Sequence, residues 1–208
     1  MDAGLIFRHG GRSFIRDTTM RTSRFTPGGS GTTQTKRADR LSVVKAYEDE
    51  REQQFWPSLA KSGLSRAERA VVERSLGLGG GRVLVVGCGT GREAFALAGL
   101  GYNVVGLDVS RLLVREAGLH ARGLANLAYL AADATLLPFG DESFDYVMMF
   151  GQMLGHIPGS QGRRKAVFEA TRVLRKNGLV LVSHYQRSFM DYPITYLLWR
   201  LLGRLLGH

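Results

Sequence analysis

The 208-residue sequence has one cysteine, five prolines and no long hydrophobic run. The single cysteine, Cys88, excludes an internal disulfide framework and any zinc or iron–sulfur site built from several cysteines. No stretch reaches the roughly 20 apolar residues that a membrane span needs. Charged residues occupy the N-terminal region, where a secretory signal would be apolar. We therefore expect a soluble globular protein of a reducing compartment, the cytoplasm.

Acidic residues are outnumbered, 18 against 28 Lys and Arg, which gives a formal net charge of +10. The excess lies at the two ends, with 8 basic and 3 acidic residues over 1–40, and 9 and 2 over 160–208. Residues 81–159 carry 5 basic and 7 acidic groups. Basic ends attract nucleic acid, anionic lipid or acidic substrates, but charge alone gives only nonspecific attraction. An ordinary basic surface is the simpler interpretation.

The first 78 residues divide into two segments. Residues 1–40 contain scattered arginines, a TPGGSGTT run and no sustained apolar period, so we predict a disordered basic arm. Residues 41–78 predict two helices, the second marked by a capping box of Ser65 and Glu68. We expect this helical segment, with Tyr47, to fold as a lid over a ligand. Simple packing against the core is the alternative.

Residues 79–186 alternate between short apolar runs and helical patterns. The predicted strands are 82–86, 103–107, 127–131, 144–150 and 179–184, with a turn at 177–178, and the predicted helices are 92–100, 110–122 and 163–175. This order indicates βαβ units around a parallel sheet, with ligands at the carboxyl ends of the strands. The fold class is therefore α/β, a Rossmann-like doubly wound sheet with five parallel strands.

The segment Val83–Glu93, VLVVGCGTGRE, is a buried strand that leads into a glycine-rich turn and a helix. Glycines in such a turn let the backbone approach a ligand closely and present N–H groups at the start of the helix. The dinucleotide fingerprint requires glycine at its sixth position, where this chain has Arg92. The spacing therefore disfavours NAD.

From this turn onward, over roughly residues 80–184, the chain resembles the class I S-adenosylmethionine-dependent methyltransferases, whose first motif is a strand followed by G-x-G-x-G. Asp108 ends the second predicted strand, where the family's acidic residue binds the ribose hydroxyls. Asp133 precedes the LPF turn in the loop that meets the adenine. Residues 144–150 are similar to the family's fourth strand, and residues 172–182 are similar to the helix end, turn and fifth strand that follow. The resemblance implies S-adenosylmethionine as cofactor.

The cofactor site implied by this resemblance follows the glycine turn and the next strand ends. Its expected residues are Gly87, Gly89, Thr90, Gly91, Glu93, Asp108, Val109, Asp133, Ala134 and Gln152. Many family members place an acid two residues before the first glycine to help hold the methionine amino group, but this chain has Val85 there. Glu93 could take that role, or could serve only as a first-turn helix acid. No metal is expected.

The resemblance implies methyl transfer to a small-molecule acceptor by in-line displacement. Such a reaction requires binding and alignment rather than a universal catalytic residue, so none is assigned. His156 could act as a base, although packing or capping in its loop is the plainer role. That loop lacks the proline-proline-aromatic motif of relatives that methylate base amines, so nucleic acid is disfavoured. An RNA-associated methyltransferase and a non-catalytic cofactor-binding module remain the alternatives.

The C-terminal segment, 187–208, departs from the family's usual plan. Family members follow the fifth strand with a helical segment and an antiparallel pair of strands, but only 24 residues follow His184 here. Ile194–Leu206 instead predicts an amphipathic helix. We expect a fragment or a natural short form, without the strand pair. This helix or another subunit of a homo-oligomer would then cover the edge of the fifth strand.

Overall fold

A six-stranded sheet organises the residues that the computed structural model describes, namely 3–8, 62–77 and 79–184. The strands are β1 (Ala3–Arg8), β2 (Arg82–Val86), β3 (Asn103–Asp108), β4 (Leu127–Ala131), β5 (Phe144–Met149) and β6 (Leu174–His184). Their order in the sheet is β1-β6-β5-β2-β3-β4. Strands β2 to β6 pair with one another in parallel, and β1 pairs with β6 in the antiparallel direction. The predicted fold class is confirmed.

Five helices lie in these described ranges: α1 (Arg66–Leu76), α2 (Arg92–Gly99), α3 (Arg111–His120), α4 (Met153–His156) and α5 (Gly159–Arg172). The predicted capping box starts α1. The Ser65 N–H donates to Glu68 Oε2 at 2.7 Å, and the Glu68 N–H donates to Ser65 Oγ at 3.2 Å. None of these helices is long and apolar enough to cross a membrane. The predicted first helix, Tyr47 and the C-terminal helix lie outside the described residues.

Both faces of the sheet are buried, as a parallel sheet requires. Side chains along β2 alternate between two apolar clusters because successive residues of a strand point to opposite faces. Val83 and Val85 belong to the cluster that includes α1 and α2, whereas Leu84 and Val86 belong to the cluster that includes α5. The near-continuous apolar pattern of this strand thus results from helices on both sides.

The β6 strand carries an irregularity where the sequence predicts a separate turn. Its register against β5 changes from Phe144 opposite Leu174 to Tyr146 opposite Leu179. A step of two residues along β5 therefore corresponds to a step of five along β6. The predicted turn at 177–178 is a bulge within one long strand. A Cβ atom on Gly178 would lie 2.7 Å from the backbone oxygen of Asp145, so this close approach requires glycine. The helix before it also begins and ends earlier than predicted, at 159 and 172.

The outer edge of β6 is covered by β1. The two strands pair from Ala3 opposite His184 to Arg8 opposite Leu179. The prediction of disorder is therefore wrong for residues 3–8, while 9–40 lie outside the described residues. The expectation that a C-terminal helix or another subunit covers this edge is also wrong, because β1 already supplies the backbone partners. A strand of six residues such as β1 is too short for its local pattern of apolar residues to predict which distant strand it pairs with.

A buried carboxylate ties the loop after β4 to α5. Glu169, with 7% of its surface exposed, accepts from the Leu137 N–H at 2.8 Å. Arg172 donates to both Glu169 carboxylate oxygens at 2.7 and 2.9 Å, and also to the Leu137 and Phe139 carbonyl oxygens. The hydrogen bond from Arg172, more than the opposing burial, lowers the pKa of Glu169. This clamp fixes the loop whose first residues reach the candidate site.

We expect Glu169→Gln to lower the free energy of unfolding by about 1–3 kcal/mol, because the partly buried Arg172 guanidinium loses a charged hydrogen-bond partner. Asp141→Asn is the control, since Asp141 contacts the same Arg172 at 2.7 Å but is 74% exposed, and it should cost less than about 1 kcal/mol. Urea unfolding at neutral pH measures both variants. Equal losses would contradict this account of the clamp.

The same clamp predicts a pH dependence. The folded-state pKa of Glu169 lies below its ordinary value of 4.5, so its stabilisation is fully present above that value. The stabilisation is lost as the pH falls through the folded-state pKa. The difference in unfolding free energy between wild type and Glu169→Gln should therefore shrink on acidification.

Candidate ligand-binding site

A cavity of about 570 Å³ lies beyond the carboxyl ends of the parallel strands, a volume typical of small-molecule sites. Eight of the ten predicted site residues line it: Gly87, Gly89, Thr90, Glu93, Asp108, Val109, Asp133 and Ala134. Gly91 and Gln152 do not. Five further residues line the cavity without a sequence signal that marked them as site residues: Cys88, Arg92, Phe150, Met153 and Ile157.

The three glycines of the turn have different roles. A Cβ atom on Gly87 would overlap Met153, and one on Gly91 would overlap the hydroxyl of Tyr129. Gly89, in contrast, has no atom within 4 Å of its would-be Cβ, although its φ is 53°. Two glycines therefore permit close packing inside the protein, and Gly89 leaves open space at the cavity wall.

Asp108 holds a fixed carboxylate at this wall. Its Oδ1 accepts from the Ser110 N–H at 3.0 Å, and its Oδ2 accepts from the Gly89 N–H at 2.9 Å. Burial raises the pKa of Asp108, and hydrogen bonds from the N–H groups of Ser110, Gly89 and Val109 oppose this shift. A carboxylate offers about four acceptor positions. The carboxylate therefore keeps acceptor capacity for a donor on a ligand, such as a hydroxyl group.

Arg92 joins two carboxylates next to the glycine turn. It binds Glu68 through two hydrogen bonds of 2.7 and 2.8 Å, and Glu93 through one of 2.5 Å. The same guanidinium donates to the Gly63 carbonyl oxygen at 2.9 Å. Two carboxylates against one guanidinium give this group a formal charge of −1 when both carboxyl groups are ionised. The capping box revealed Glu68 as a helix-start residue, but no sequence signal showed that it binds Arg92.

Burial is the main reason that the pKa of Glu93 is raised, with Arg92 opposing it. Burial acts in the same direction on Glu68, but hydrogen bonds from Arg92 and Ser65 outweigh it, and the pKa of Glu68 is lowered. The two carboxylates therefore differ in how strongly Arg92 stabilises their charged forms. Glu93, which accepts one hydrogen bond from Arg92 where Glu68 accepts two, lines the cavity.

The loop after β4 brings Asp133 and Ala134 to the cavity. Asp133 Oδ1 accepts from the Thr135 N–H at 2.8 Å, and the Asp133 carbonyl oxygen accepts from the Leu136 N–H at 3.0 Å. Asp133 thus caps its own loop while it lines the cavity. A capping role and a ligand-facing role are compatible in this geometry.

The loop after β5 supplies an apolar part of the wall, through Phe150, Met153 and Ile157, together with His156. Gln152 lies in the same loop but is exposed and has a φ of 62°, so the chain turns there before α4. The local reversal explains why a residue next to the strand end does not line the cavity.

Cys88 lines the cavity as a neutral thiol. Burial, together with the charges of Asp108 and Glu93, raises its pKa well above the ordinary value. A thiol in these surroundings is a poor nucleophile. Among the residues that the structure describes, no group of three His, Cys, Asp or Glu side chains is placed to hold a metal ion.

Residues 83–178 match a family model described as a methyltransferase domain. The curated relatives include a demethylmenaquinone methyltransferase of Renibacterium salmoninarum, 35% identical over 63% of this chain and 53% of the relative. A ubiquinone biosynthesis O-methyltransferase of Coxiella burnetii is 30% identical over 60% of this chain and 52% of the relative. The chain spans about half the length of the curated relatives it matches.

Two solved structures extend the comparison. A S-adenosylmethionine-dependent methyltransferase of Methanosarcina mazei has a TM-score of 0.54 and 26% identity, covering 64% of this chain and 68% of the other. The [4+2]-cyclase SpnF has a TM-score of 0.51 and 35% identity, covering 56% of this chain and 43% of the other. The motif order, the parallel sheet and these matches confirm the resemblance of residues 83–178 to the class I S-adenosylmethionine-dependent methyltransferases.

Proposed function

We propose that this protein transfers a methyl group from S-adenosylmethionine to a small-molecule acceptor. The observation that carries the proposal is the Asp108 carboxylate, held at the cavity wall by the N–H groups of Gly89 and Ser110. It stands at the end of β3 within the matched domain. The relatives named as methyltransferases support the reaction type.

The residues of the cavity fit this cofactor. Asp108 would accept from the ribose hydroxyls, while Val109 and the Asp133–Ala134 loop would border the adenine. The open space at Gly89 would let the backbone lie against the ligand. The net negative charge at Glu93 matches an ammonium group. The cofactor supplies a methyl group on a sulfonium, an activated carbon for in-line displacement, and the protein's work is to bind, orient and exclude water.

Glu93 is our candidate for the role of the acid that this chain lacks before its first glycine. Val85 stands there, and its side chain is 1% exposed inside the sheet. Glu93 lies at the start of α2, lines the cavity and pairs with Arg92 through only one hydrogen bond in the described structure. A buried carboxylate with a raised pKa gains from a second cation.

The acceptor that suits the remaining wall is small and partly apolar. Phe150, Met153 and Ile157 offer apolar contacts, and His156 is the candidate base for an acceptor that must lose a proton. Some curated relatives are named demethylmenaquinone methyltransferase or ubiquinone biosynthesis O-methyltransferase, and such acceptors would suit this wall. The loop sequence disfavours nucleic-acid amines. We keep the cytoplasm as the place of action, in agreement with the single cysteine.

A different reaction in the same fold is the second candidate. The solved structure named as a [4+2]-cyclase is 35% identical to this chain, and a fold does not determine chemistry. Cofactor binding without methyl transfer to any acceptor would favour this candidate or a binding module.

The function is tested first by binding. Calorimetry and thermal unfolding compare S-adenosylmethionine, S-adenosylhomocysteine and NAD. A ligand at about 100 times its dissociation constant adds roughly 2.7 kcal/mol of stability. Labelled methyl transfer to phenolic and quinol acceptors, with RNA in parallel, follows. Binding of NAD alone would overturn the proposal, and label in RNA would favour the RNA-associated alternative.

Asp108→Asn should weaken S-adenosylhomocysteine binding by about 1–3 kcal/mol, because an amide cannot accept both ribose hydroxyl bonds as a carboxylate does. Asp141→Asn, in an exposed loop, should leave the affinity unchanged. Isothermal calorimetry measures both. An unchanged dissociation constant for the Asp108 variant would remove this residue from the site.

Two glycine variants should separate folding from binding. In Gly89→Ala, the added methyl group enters open space, so the melting temperature should fall by only a few degrees (about 1 kcal/mol), while ligand affinity falls at least about tenfold. In Gly91→Ala, the methyl group overlaps Tyr129, and we expect a much larger loss of stability. Thermal unfolding with and without ligand measures both effects. Normal ligand affinity in Gly89→Ala would show that the ligand does not approach this turn.

A further inference from the structure

We propose that Glu68, on α1 and outside the matched domain, is a positioning residue for the amino group of the cofactor. Glu68 accepts two hydrogen bonds from Arg92. Arg92 therefore does not fully pair with Glu93, whose carboxylate can bind the amino group of the ligand. This inference rests on the proposed function. It assigns the helical segment before the sheet a specific part in binding, distinct from a general cover.

The first argument for this role is the way in which the N–H groups of Arg92 are shared among their acceptors. A guanidinium has four N–H groups on its two terminal nitrogens. One Nη1–H donates to the Gly63 carbonyl oxygen and the other to Glu68, while one Nη2–H donates to Glu68 and the other to Glu93. With Glu68 and Gly63 in place, these two nitrogens give Glu93 a single N–H. Through its terminal nitrogens, Arg92 therefore gives Glu93 only one hydrogen bond while Glu68 and Gly63 hold the other three N–H groups.

Charge gives the second step. Arg92 alone would neutralise Glu93, and a planar guanidinium favours a two-point contact with a carboxylate. Glu68 brings a second negative charge and takes that two-point contact itself. Together, Glu68, Arg92 and Glu93 then have a formal charge of −1. An ammonium group of a ligand can bind to the Glu93 carboxylate of this group. Because both carboxylates are largely buried, solvent screens this charge weakly.

The capping box makes the position open to a clean test. Glu and Gln both serve at the third residue of a capping box. Glu68→Gln therefore keeps the start of α1 and removes the charge that competes for Arg92. In this variant, Arg92 can form a two-point hydrogen-bonded contact with Glu93 in place of the one it makes with Glu68. Glu73→Gln is the matched control, the same substitution on the same helix, at a half-exposed residue 3.8 Å from Arg69.

Two ligands separate positioning from general stability. S-adenosylhomocysteine carries the amino group, whereas 5′-methylthioadenosine shares the nucleoside and the sulfur but lacks the amino-acid part. Glu68→Gln should weaken S-adenosylhomocysteine binding about tenfold and change methylthioadenosine binding by less than about twofold. Glu73→Gln should change neither. Calorimetry at neutral pH measures the six dissociation constants of the wild type and the two variants for the two ligands.

A double variant tests whether Glu68 acts through Glu93. Glu93→Gln should weaken S-adenosylhomocysteine binding by itself, and adding Glu68→Gln should cause no further loss, because the group that Arg92 would neutralise is gone. Additive losses in the double variant would overturn the inference. So would an equal loss for the two ligands, or no loss, in Glu68→Gln.

Failure of the proposed function looks different. If the wild-type protein binds neither ligand, the proposed function falls, and this inference with it. If the wild type binds both and the selective loss is missing, only the inference falls. Should thermal unfolding show that Glu68→Gln does not fold, Glu68→Asp takes its place. Its carboxylate is one methylene short of Arg92, and the same selective loss, smaller in size, is expected.

Discussion

The candidate site depends on the pairing of β2 with β3, because the hydrogen bonds between these strands continue into the glycine turn. The Leu107 carbonyl oxygen accepts from the N–H groups of both Gly87 and Cys88, at 2.7 and 3.0 Å. The next N–H, that of Gly89, donates to the Asp108 side chain. The turn and the carboxylate are thus set by one run of backbone hydrogen bonds. A shift in this register would move the turn and the acid together.

Local sequence signals predicted the parts of the fold that depend on near neighbours. The apolar run of β2, the capping box at Ser65 and the acid at the end of β3 all appear where the pattern indicates. What the sequence did not show depends on distant contacts. The bulge at 177–178 exists because β5 approaches Gly178, and the link from Glu68 to Arg92 joins residues 24 positions apart. Neither contact leaves a periodic pattern.

The cavity concentrates buried acids, and this has a cost without a ligand. Burial raises the pKa of both Asp108 and Glu93, so each would be easier to bury in its neutral form. Arg92 and a few backbone N–H groups offset part of that cost. A ligand that brings hydroxyl donors and a cation would offset the remaining desolvation cost of these carboxylates.

The strand at the N-terminal side of the sheet has a consequence for synthesis. Each residue of β1 pairs with a residue of β6 more than 170 positions later in the chain. During synthesis β1 emerges before the other strands of this sheet, and its partner β6 emerges last among them. Such long-range pairs raise the contact order and slow folding. The β1–β6 edge can therefore form only after the other strands have been made, and a nascent chain must keep the largely apolar β1 segment from other partners until then.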